Sequence, residues 1–213
     1  MNIETILDII SFFGIIAFGV SGAMVAIKKR VDLFGVIFLA VVTATGGGIT
    51  RDIFLDRLPP VAFIDTGYMS VAAVSAIIVY IIAKGNKAYY QKNTAALDSV
   101  TNIFDALGLS IFVVMGSQAA IDCGYSQNAF LVVFVGVLTG IGGGFLRDIM
   151  VREIPFVLKK HFYALAAVAG ALVYYILYEI KVPYAFSVLV SASVTFLLRM
   201  LATKYKWNLP PAF

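Results

Sequence analysis

Apolar residues fill seven stretches of the chain that contain no Asp, Glu, Lys or Arg: 9–27, 33–50, 66–83, 106–121, 123–146, 162–178 and 182–198. A helix needs about 20 residues to cross the hydrocarbon core of a bilayer, with a range of about 17–25. Six stretches reach this range alone, and the fourth reaches it by extending back to Ser99, which takes in Asp105. Main-chain groups in lipid must be hydrogen-bonded within the segment, so the pattern predicts seven transmembrane helices.

The chain also repeats itself after 96 positions. The sequence GGGITRD at 46–52 returns as GGGFLRD at 142–148. The same offset relates residues outside the motif, namely Ser21 and Ser117, Phe34 and Phe130, Thr43 and Thr139, and Pro59 and Pro155. A repeat of this length is too long for a solenoid and is typical of a doubled membrane domain.

We interpret 1–213 as a single transmembrane domain. It comprises repeat 1 (1–84), a linker (85–96), repeat 2 (97–180) and a seventh helix (183–201). Each repeat holds three spans, and because three is odd the second repeat enters the membrane from the opposite face. The predicted fold class is an all-α membrane protein with an inverted 3+3 repeat, kinked second and fifth helices, and a seventh helix with a structural role.

The composition agrees with a lipid environment. The chain is 61% hydrophobic and 13% charged, against about 25% charged in soluble domains. Of its 16 basic residues, alternating loops place only Arg51, Arg57 and Lys181 on one side of the membrane. By the positive-inside rule that side is external, which predicts an external N-terminus and a cytoplasmic C-terminus. The net charge of +4 is thus an orientation signal, and no nucleic-acid partner is implied.

The two glycine triplets, Gly46–Gly48 and Gly142–Gly144, are unfavourable inside a helix by about 1 kcal/mol per glycine. They predict a kink or break in the second and fifth helices. A break would free carbonyl groups, and we expect these to hold a monovalent cation near each triplet. The alternative is that the glycines only let a neighbouring helix pack closely.

The charged residues of the motif are Arg51, Asp52, Arg147 and Asp148. Adjacent residues point about 100° apart on a helix, so we expect neither arginine to pair with the aspartate that follows it. Asp148 is instead spaced to pair with Arg152. The arginines are predicted to line and gate a conduction path, and the alternative is that they extend to the membrane surface and anchor the helix ends.

Two further acids, Asp8 and Asp105, lie in corresponding helices at an offset of 97. We expect them to partner the motif arginines or to draw cations towards the pore mouths. Four hydroxyl residues at equal offsets are candidates to line the same path, although hydrogen bonding between helices accounts for them equally well. These residues are Ser21, Thr43, Ser117 and Thr139.

Sequence signatures of an enzyme are missing. The chain has no phosphate-binding glycine loop followed by Lys-Ser/Thr, no Cys/His metal spacing, and one histidine, His161. We therefore predict no catalysis and no cofactor.

With seven spans, an inverted repeat and paired GGG-x-x-R-D motifs, the chain resembles the prokaryotic branch of the TRIC (trimeric intracellular cation) channel family. Bacterial relatives of that branch form a family of uncharacterised membrane proteins also suspected of glycine transport. The resemblance implies a homotrimer in a prokaryotic inner membrane, with a pore in each protomer formed by the first, second, fourth and fifth helices. It also implies conduction of K⁺ in preference to Na⁺, with the kinks at Gly46–Gly48 and Gly142–Gly144.

The leading hypothesis is thus a passive monovalent cation channel. The alternative from another class is a secondary transporter of a small zwitterion such as glycine, because inverted repeats with broken helices are equally typical of that class. A non-conducting scaffold is a third hypothesis.

Overall fold

A computed structural model describes residues 3–86, 90, 92–159 and 162–207 of the chain. Part of the predicted linker 85–96, together with His161, lies outside these residues. The described residues contain seven helices that are long and apolar enough to cross a membrane. The predicted spans and the all-α membrane fold class are confirmed.

The helices occur in the same order in both halves of the chain: two long, one short and one long. The first half contains α1 (Ile3–Lys28), α2 (Leu33–Phe54), α3 (Val61–Ile64) and α4 (Gly67–Gly85). The second contains α5 (Thr94–Ala120), a π-helical turn (Ile121–Tyr125), α6 (Ala129–Met150), α7 (Phe156–Lys159) and α8 (Phe162–Glu179). A last helix, α9 (Tyr184–Lys204), has no counterpart among the described residues of the first half.

The repeat extends to the local backbone at the ends of α2 and α6. Asp32 and Asn128, which are equivalent, each accept a hydrogen bond from the main-chain N–H three residues later, at 2.8 Å and 3.0 Å. Such caps satisfy N–H groups that have no partner inside the helix. Beyond the two helices, the equivalent residues Asp56 and Arg152 take left-handed φ values of 55° and 56°. The same local chemistry thus begins and ends both helices.

The four helices predicted to form the path make up the centre of the bundle. Helix α1 packs on α2 and α5, and α6 packs on α2 and α5. Helix α4 covers α1 and α2, as α8 covers α5 and α6, and α9 packs on α5 and α8. Between α1 and α5 the rings of Phe18 and Phe112 stack with their centroids 5.3 Å apart. The inverted repeat therefore has a shared core, with α9 added on one side.

Helix α9 presents a polar stripe to its neighbours. Residues four apart lie on one helix face, and Ser187, Ser191, Thr195 and Arg199 follow this spacing and are all buried. Ser193 lies off this stripe and is exposed. Small polar residues allow helices to approach closely, which fits a structural role for α9. The buried Arg199 was not expected.

Candidate functional site

Helices α2 and α6 cross at the two glycine triplets, main chain against main chain. A methyl group on Gly47 would overlap the carbonyl oxygen of Thr139, and one on Gly143 would overlap the carbonyl oxygen of Thr43. These contacts are equivalent at the 96-residue offset, so they form a reciprocal pair around a pseudo-two-fold axis. Only glycine permits this approach at either position.

Both helices run through the triplets without interruption. The expected break is therefore absent from this conformation, and the glycines provide the close helix approach that was the alternative. Carbonyl groups inside an uninterrupted helix are engaged in its own hydrogen bonds. A main-chain cation site near Gly46–Gly48 or Gly142–Gly144 stays a prediction, and it concerns a conformation in which the two helices separate.

Four hydroxyl side chains surround the crossing, and none has solvent-accessible surface: Ser21, Thr43, Ser117 and Thr139. Thr43 and Thr139 each donate to the carbonyl four residues earlier in their own helix, at 2.6 Å. Ser21 accepts a hydrogen bond from Arg147. The Ser117 hydroxyl has no partner among the described residues. Because no water reaches these groups, the centre of the protomer is closed in this conformation.

The Arg147 side chain joins the two repeats near the end of α6. Its Nη1 atom donates to Asp105 Oδ1 and to Ser21 Oγ, both at 2.8 Å. Its Nε atom donates to Asp148 Oδ1 at 2.9 Å. All four residues are buried, and a buried guanidinium is tolerated only when it is paired in this way. We call Ser21, Asp105, Arg147 and Asp148 the Arg147 cluster.

Arg51 occupies the equivalent place in α2 but has a single acidic partner among the described residues. Its Nε and Nη2 atoms both lie 2.8 Å from Asp52 Oδ1. It does not bond to Ser117, the equivalent of Ser21, whose hydroxyl is unpaired. The Arg51 side chain is 11% exposed, against 5% for Arg147. Of the two motif arginines, Arg147 alone therefore bonds to both repeats within the part of the chain that the structure describes.

Each motif arginine pairs with the aspartate that follows it, contrary to the sequence-based expectation. The second oxygen of each carboxylate accepts a hydrogen bond from the next short helix: Asp52 Oδ2 from the Val61 N–H at 3.0 Å, and Asp148 Oδ2 from the Phe156 N–H at 2.7 Å. These bonds hold each carboxylate where the preceding arginine reaches it. Asp148 makes no pair with Arg152, which lies beyond the end of α6.

Asp8 and Asp105 do not play equivalent roles. Asp105 is 4% exposed and binds Arg147, whereas Asp8 is exposed and forms no ion pair with Arg51 among the described residues. Their offset of 97 explains the difference, since one residue turns a side chain by about 100° around a helix. The position equivalent to Asp105 is Ile9, which is 44% exposed. A role for Asp8 at a pore mouth stays a prediction.

Sequence reasoning missed two large side chains beside the Arg147 cluster, Tyr163 and Arg199. The Arg199 guanidinium carbon lies 4.6 Å from the ring centroid of Tyr163 and 5.4 Å from that of Phe156. Its Nη2 atom donates to Asn102 Oδ1 at 2.8 Å. The four-residue polar stripe of α9 is a signal that identifies Arg199 as inward-facing. We find no such signal for Tyr163.

A cavity of about 480 Å³ opens at the ends of α1 and α9 and reaches down to the cluster. We call this cavity the vestibule. Asp105, Arg147 and Arg199 line it, as do Lys28 and Trp207. Within the described residues no group of three or more His, Cys, Asp or Glu side chains is placed to hold a metal ion.

Comparison with known proteins places these features in a family. The family model described as "Glycine transporter" matches the chain twice, at residues 8–84 and 102–179. Each match falls within one predicted repeat. The UPF0126 inner membrane protein YadS of Escherichia coli K12 is 34% identical over 205 residues, which cover 96% of this chain and 93% of YadS.

Two solved structures share the fold over nearly the whole chain. One comes from work described as "Structural basis for conductance through TRIC cation channels"; it is 37% identical, with a TM-score of 0.82 and 97% of both chains covered. The other is described as "Crystal structure of a prokaryotic TRIC channel in 0.5 M KCl"; it is 35% identical, with a TM-score of 0.87, covering 97% of this chain and 100% of that one.

The helix crossing predicts that two neighbouring glycines of one triplet differ in how well they tolerate substitution by alanine. Gly47→Ala places a methyl group against the Thr139 carbonyl, whereas Gly48→Ala meets only the end of the flexible Arg51 side chain, 3.9 Å away. We expect Gly47→Ala to lower stability by about 1–3 kcal/mol through overpacking, and Gly48→Ala to leave it nearly unchanged. Thermal unfolding of the purified protein in detergent measures both. Equal melting temperatures for the two variants would contradict the crossing.

Proposed function

This chain belongs to the family described as "Glycine transporter", and we propose that it works as a monovalent cation channel with a pore inside each protomer. The observation that carries the proposal is the reciprocal crossing of α2 and α6 beside the buried Arg147 cluster. The same fold occurs in two relatives described as TRIC channels, one of them in work on conductance through TRIC cation channels. These relatives are channels, and this chain is not an enzyme.

The proposed path runs between α1, α2, α5 and α6. In the closed conformation described here, α2 and α6 touch at the triplets and Arg147 bonds to Ser21 on α1 and to Asp105 on α5. Opening separates α2 from α6 and withdraws Arg147 from both partners. Carbonyl groups near the triplets then become available to a cation, and the four hydroxyl residues line its way. Arg51 and Asp52 form the constriction on the other side of the crossing.

The charges of the Arg147 cluster favour cations over anions. The cluster holds two carboxylates, Asp105 and Asp148, for one guanidinium. A fixed negative excess in a site of low dielectric constant attracts cations and repels anions. The family resemblance implies that K⁺ is preferred and that Na⁺ also permeates, and we extend this selectivity to the present chain. The permeant ion is thus K⁺ or Na⁺, and no cofactor is proposed.

We further propose that three copies of this multi-pass membrane protein assemble in the inner membrane of a prokaryote, with the N-terminus outside and the C-terminus in the cytoplasm. The loop charges support this orientation, and under it the vestibule faces the cytoplasm. The trimer is extended from relatives described as TRIC channels. A detergent-solubilised assembly is then expected to have three times the chain mass of 23.0 kDa, measured by native mass spectrometry. A monomer or dimer under the mildest detergents would contradict it.

Recording from purified protein in a planar bilayer tests conduction itself. Under a tenfold KCl gradient we expect single-channel currents that reverse near the K⁺ equilibrium potential, because the cluster excludes anions. When KCl on one side is replaced by NaCl at the same concentration, the reversal potential should move away from zero with the sign expected for a pore more permeable to K⁺ than to Na⁺. Reversal at the chloride equilibrium potential would contradict a cation pore.

The family description keeps a glycine transporter as the alternative. Its helices would bind a carboxylate at a helix N-terminus exposed by a break at the triplets, but neither helix is broken in this conformation. Proteoliposomes separate the two functions. Saturable uptake of labelled glycine without an ohmic current would favour the transporter, whereas a current that is independent of glycine favours the channel.

The Arg147 cluster predicts an effect of Asp105 on gating. Asp105→Asn removes the charge that holds Arg147 across the repeats, while the amide oxygen still accepts a hydrogen bond. We expect the open probability in bilayer recordings to rise by about tenfold, which corresponds to about 1.4 kcal/mol. Asp8→Asn, an exposed residue of the corresponding helix, is the matched control and should leave gating unchanged. Equal open probabilities in folded Asp105→Asn and wild type would exclude the cluster as a gate.

A further inference from the structure

Helix α9, which lies outside the inverted repeat, contributes a buried arginine side chain to the wall of the vestibule. Arg199 is 2% exposed, and its guanidinium lies over the ring of Tyr163. Tyr163 is itself 1% exposed. Stacking on an aromatic ring and one bond to Asn102 stabilise the guanidinium, but neither contact neutralises its charge.

The carboxylates around the vestibule are paired with basic residues, and two basic residues that line it lie outside these pairs: Lys206, which is exposed, and Arg199, which is buried. Each carboxylate that lines the vestibule is paired with a basic side chain: Asp98 with Lys28, Glu153 with Lys29, and both Asp105 and Asp148 with Arg147. Among the described residues no carboxylate lies within 4.0 Å of Arg199. Its Nε atom also lacks a hydrogen-bond partner within that part of the chain. Within the described part of the chain, Arg199 is therefore a fixed positive charge in the wall of the vestibule without an acidic partner.

The position of this charge matters for ion passage. Arg199 and the Arg147 cluster line the same cavity, so a cation that travels between the vestibule mouth and the cluster passes both. Low-dielectric walls strengthen the repulsion between a fixed charge and a passing ion of the same sign. Arg199 thus opposes the cation attraction that the two carboxylates of the cluster provide.

We propose that Arg199 limits the entry of cations from the vestibule and so makes the current of each protomer rectify. The inference rests on the proposed channel function and adds a residue that neither repeat supplies. Among the described residues no helix after α4 is equivalent to α9, and the motif arginine at the opposite end of the path, Arg51, is paired with Asp52. Cations entering from that end meet a lower barrier than cations entering from the vestibule.

The experiment compares three variants with the wild type in planar bilayers at 0.1 M and 1 M KCl. Arg199→Gln removes the charge, and Arg199→Lys keeps it. Lys204→Gln is the matched control, because Lys204 lies on the same helix, is exposed and does not line the vestibule. The measured quantity is the ratio of open-channel currents at equal and opposite voltages. Circular dichroism and elution volume establish that each variant is folded.

At 0.1 M KCl we expect Arg199→Gln to raise the current entering from the vestibule about threefold to tenfold and to abolish rectification. At 1 M KCl the Debye length shortens from about 10 Å to about 3 Å, so the charge of Arg199 is screened more strongly. The increase in vestibule-side current caused by Arg199→Gln should then fall below about twofold. Arg199→Lys and Lys204→Gln should rectify like the wild type. A purely structural role would instead change Arg199→Lys and Arg199→Gln alike, with no dependence on salt, and would overturn the inference.

The wild-type recording separates this inference from the proposed function. If the wild type passes no cation current, the channel function fails and the inference fails with it. If the wild type conducts and folded Arg199→Gln keeps its rectification at 0.1 M KCl, only the role of Arg199 is overturned.

Discussion

The arrangement of the whole protomer depends on the main-chain contact between α2 and α6. Helices in lipid gain little from the hydrophobic effect, and their association relies on close packing and hydrogen bonds. Gly47 and Gly143 give that packing its closest point. Each motif arginine follows its contact glycine by four residues, which places Arg51 and Arg147 on the glycine-bearing face of their helices. The crossing therefore turns both arginines towards the protein interior, away from the membrane surface.

The charge of an inward-facing arginine must be neutralised by carboxylates, and the repeat supplies the same carboxylates to Arg51 and Arg147 only in part. A charge at the bilayer centre costs about 2.5–3.5 kcal/mol on insertion scales, and the adjacent aspartate offsets this in both halves. Only Arg147 gains a second carboxylate, Asp105, because the equivalent position holds Ile9. The bond from Arg147 to Ser21 then ties the two repeats together at one end. Closure is thus secured at the vestibule end, while Arg51 remains partly accessible at the other end.

The sequence was sufficient for what depends on periodicity and on the 96-residue offset. It predicted the spans, the duplication and the equivalence of Thr43 with Thr139, because helix length and register follow from local chemistry. It was wrong about the pairing of Arg147 with Asp148, because that bond depends on a short helix that returns over the end of α6. It also treated Asp8 as a counterpart of Asp105, although an offset of one residue turns a side chain onto another face. Contacts made by returning segments are not visible in the pattern of one helix.

An inverted duplication alone would build two equivalent ends, so any difference between them must come from departures from the repeat. Two departures that add a buried charge lie at the same end. Within the repeat, Asp105 replaces the apolar residue found at position 9. Outside the repeat, α9 adds Arg199 to the wall of the same vestibule. The first departure adds a negative charge that holds Arg147, and the second adds a positive charge that has no acidic partner among the described residues. Because both charges lie at one end of a nearly symmetric path, the two ends of the path differ in a way that the doubled motif alone would not produce.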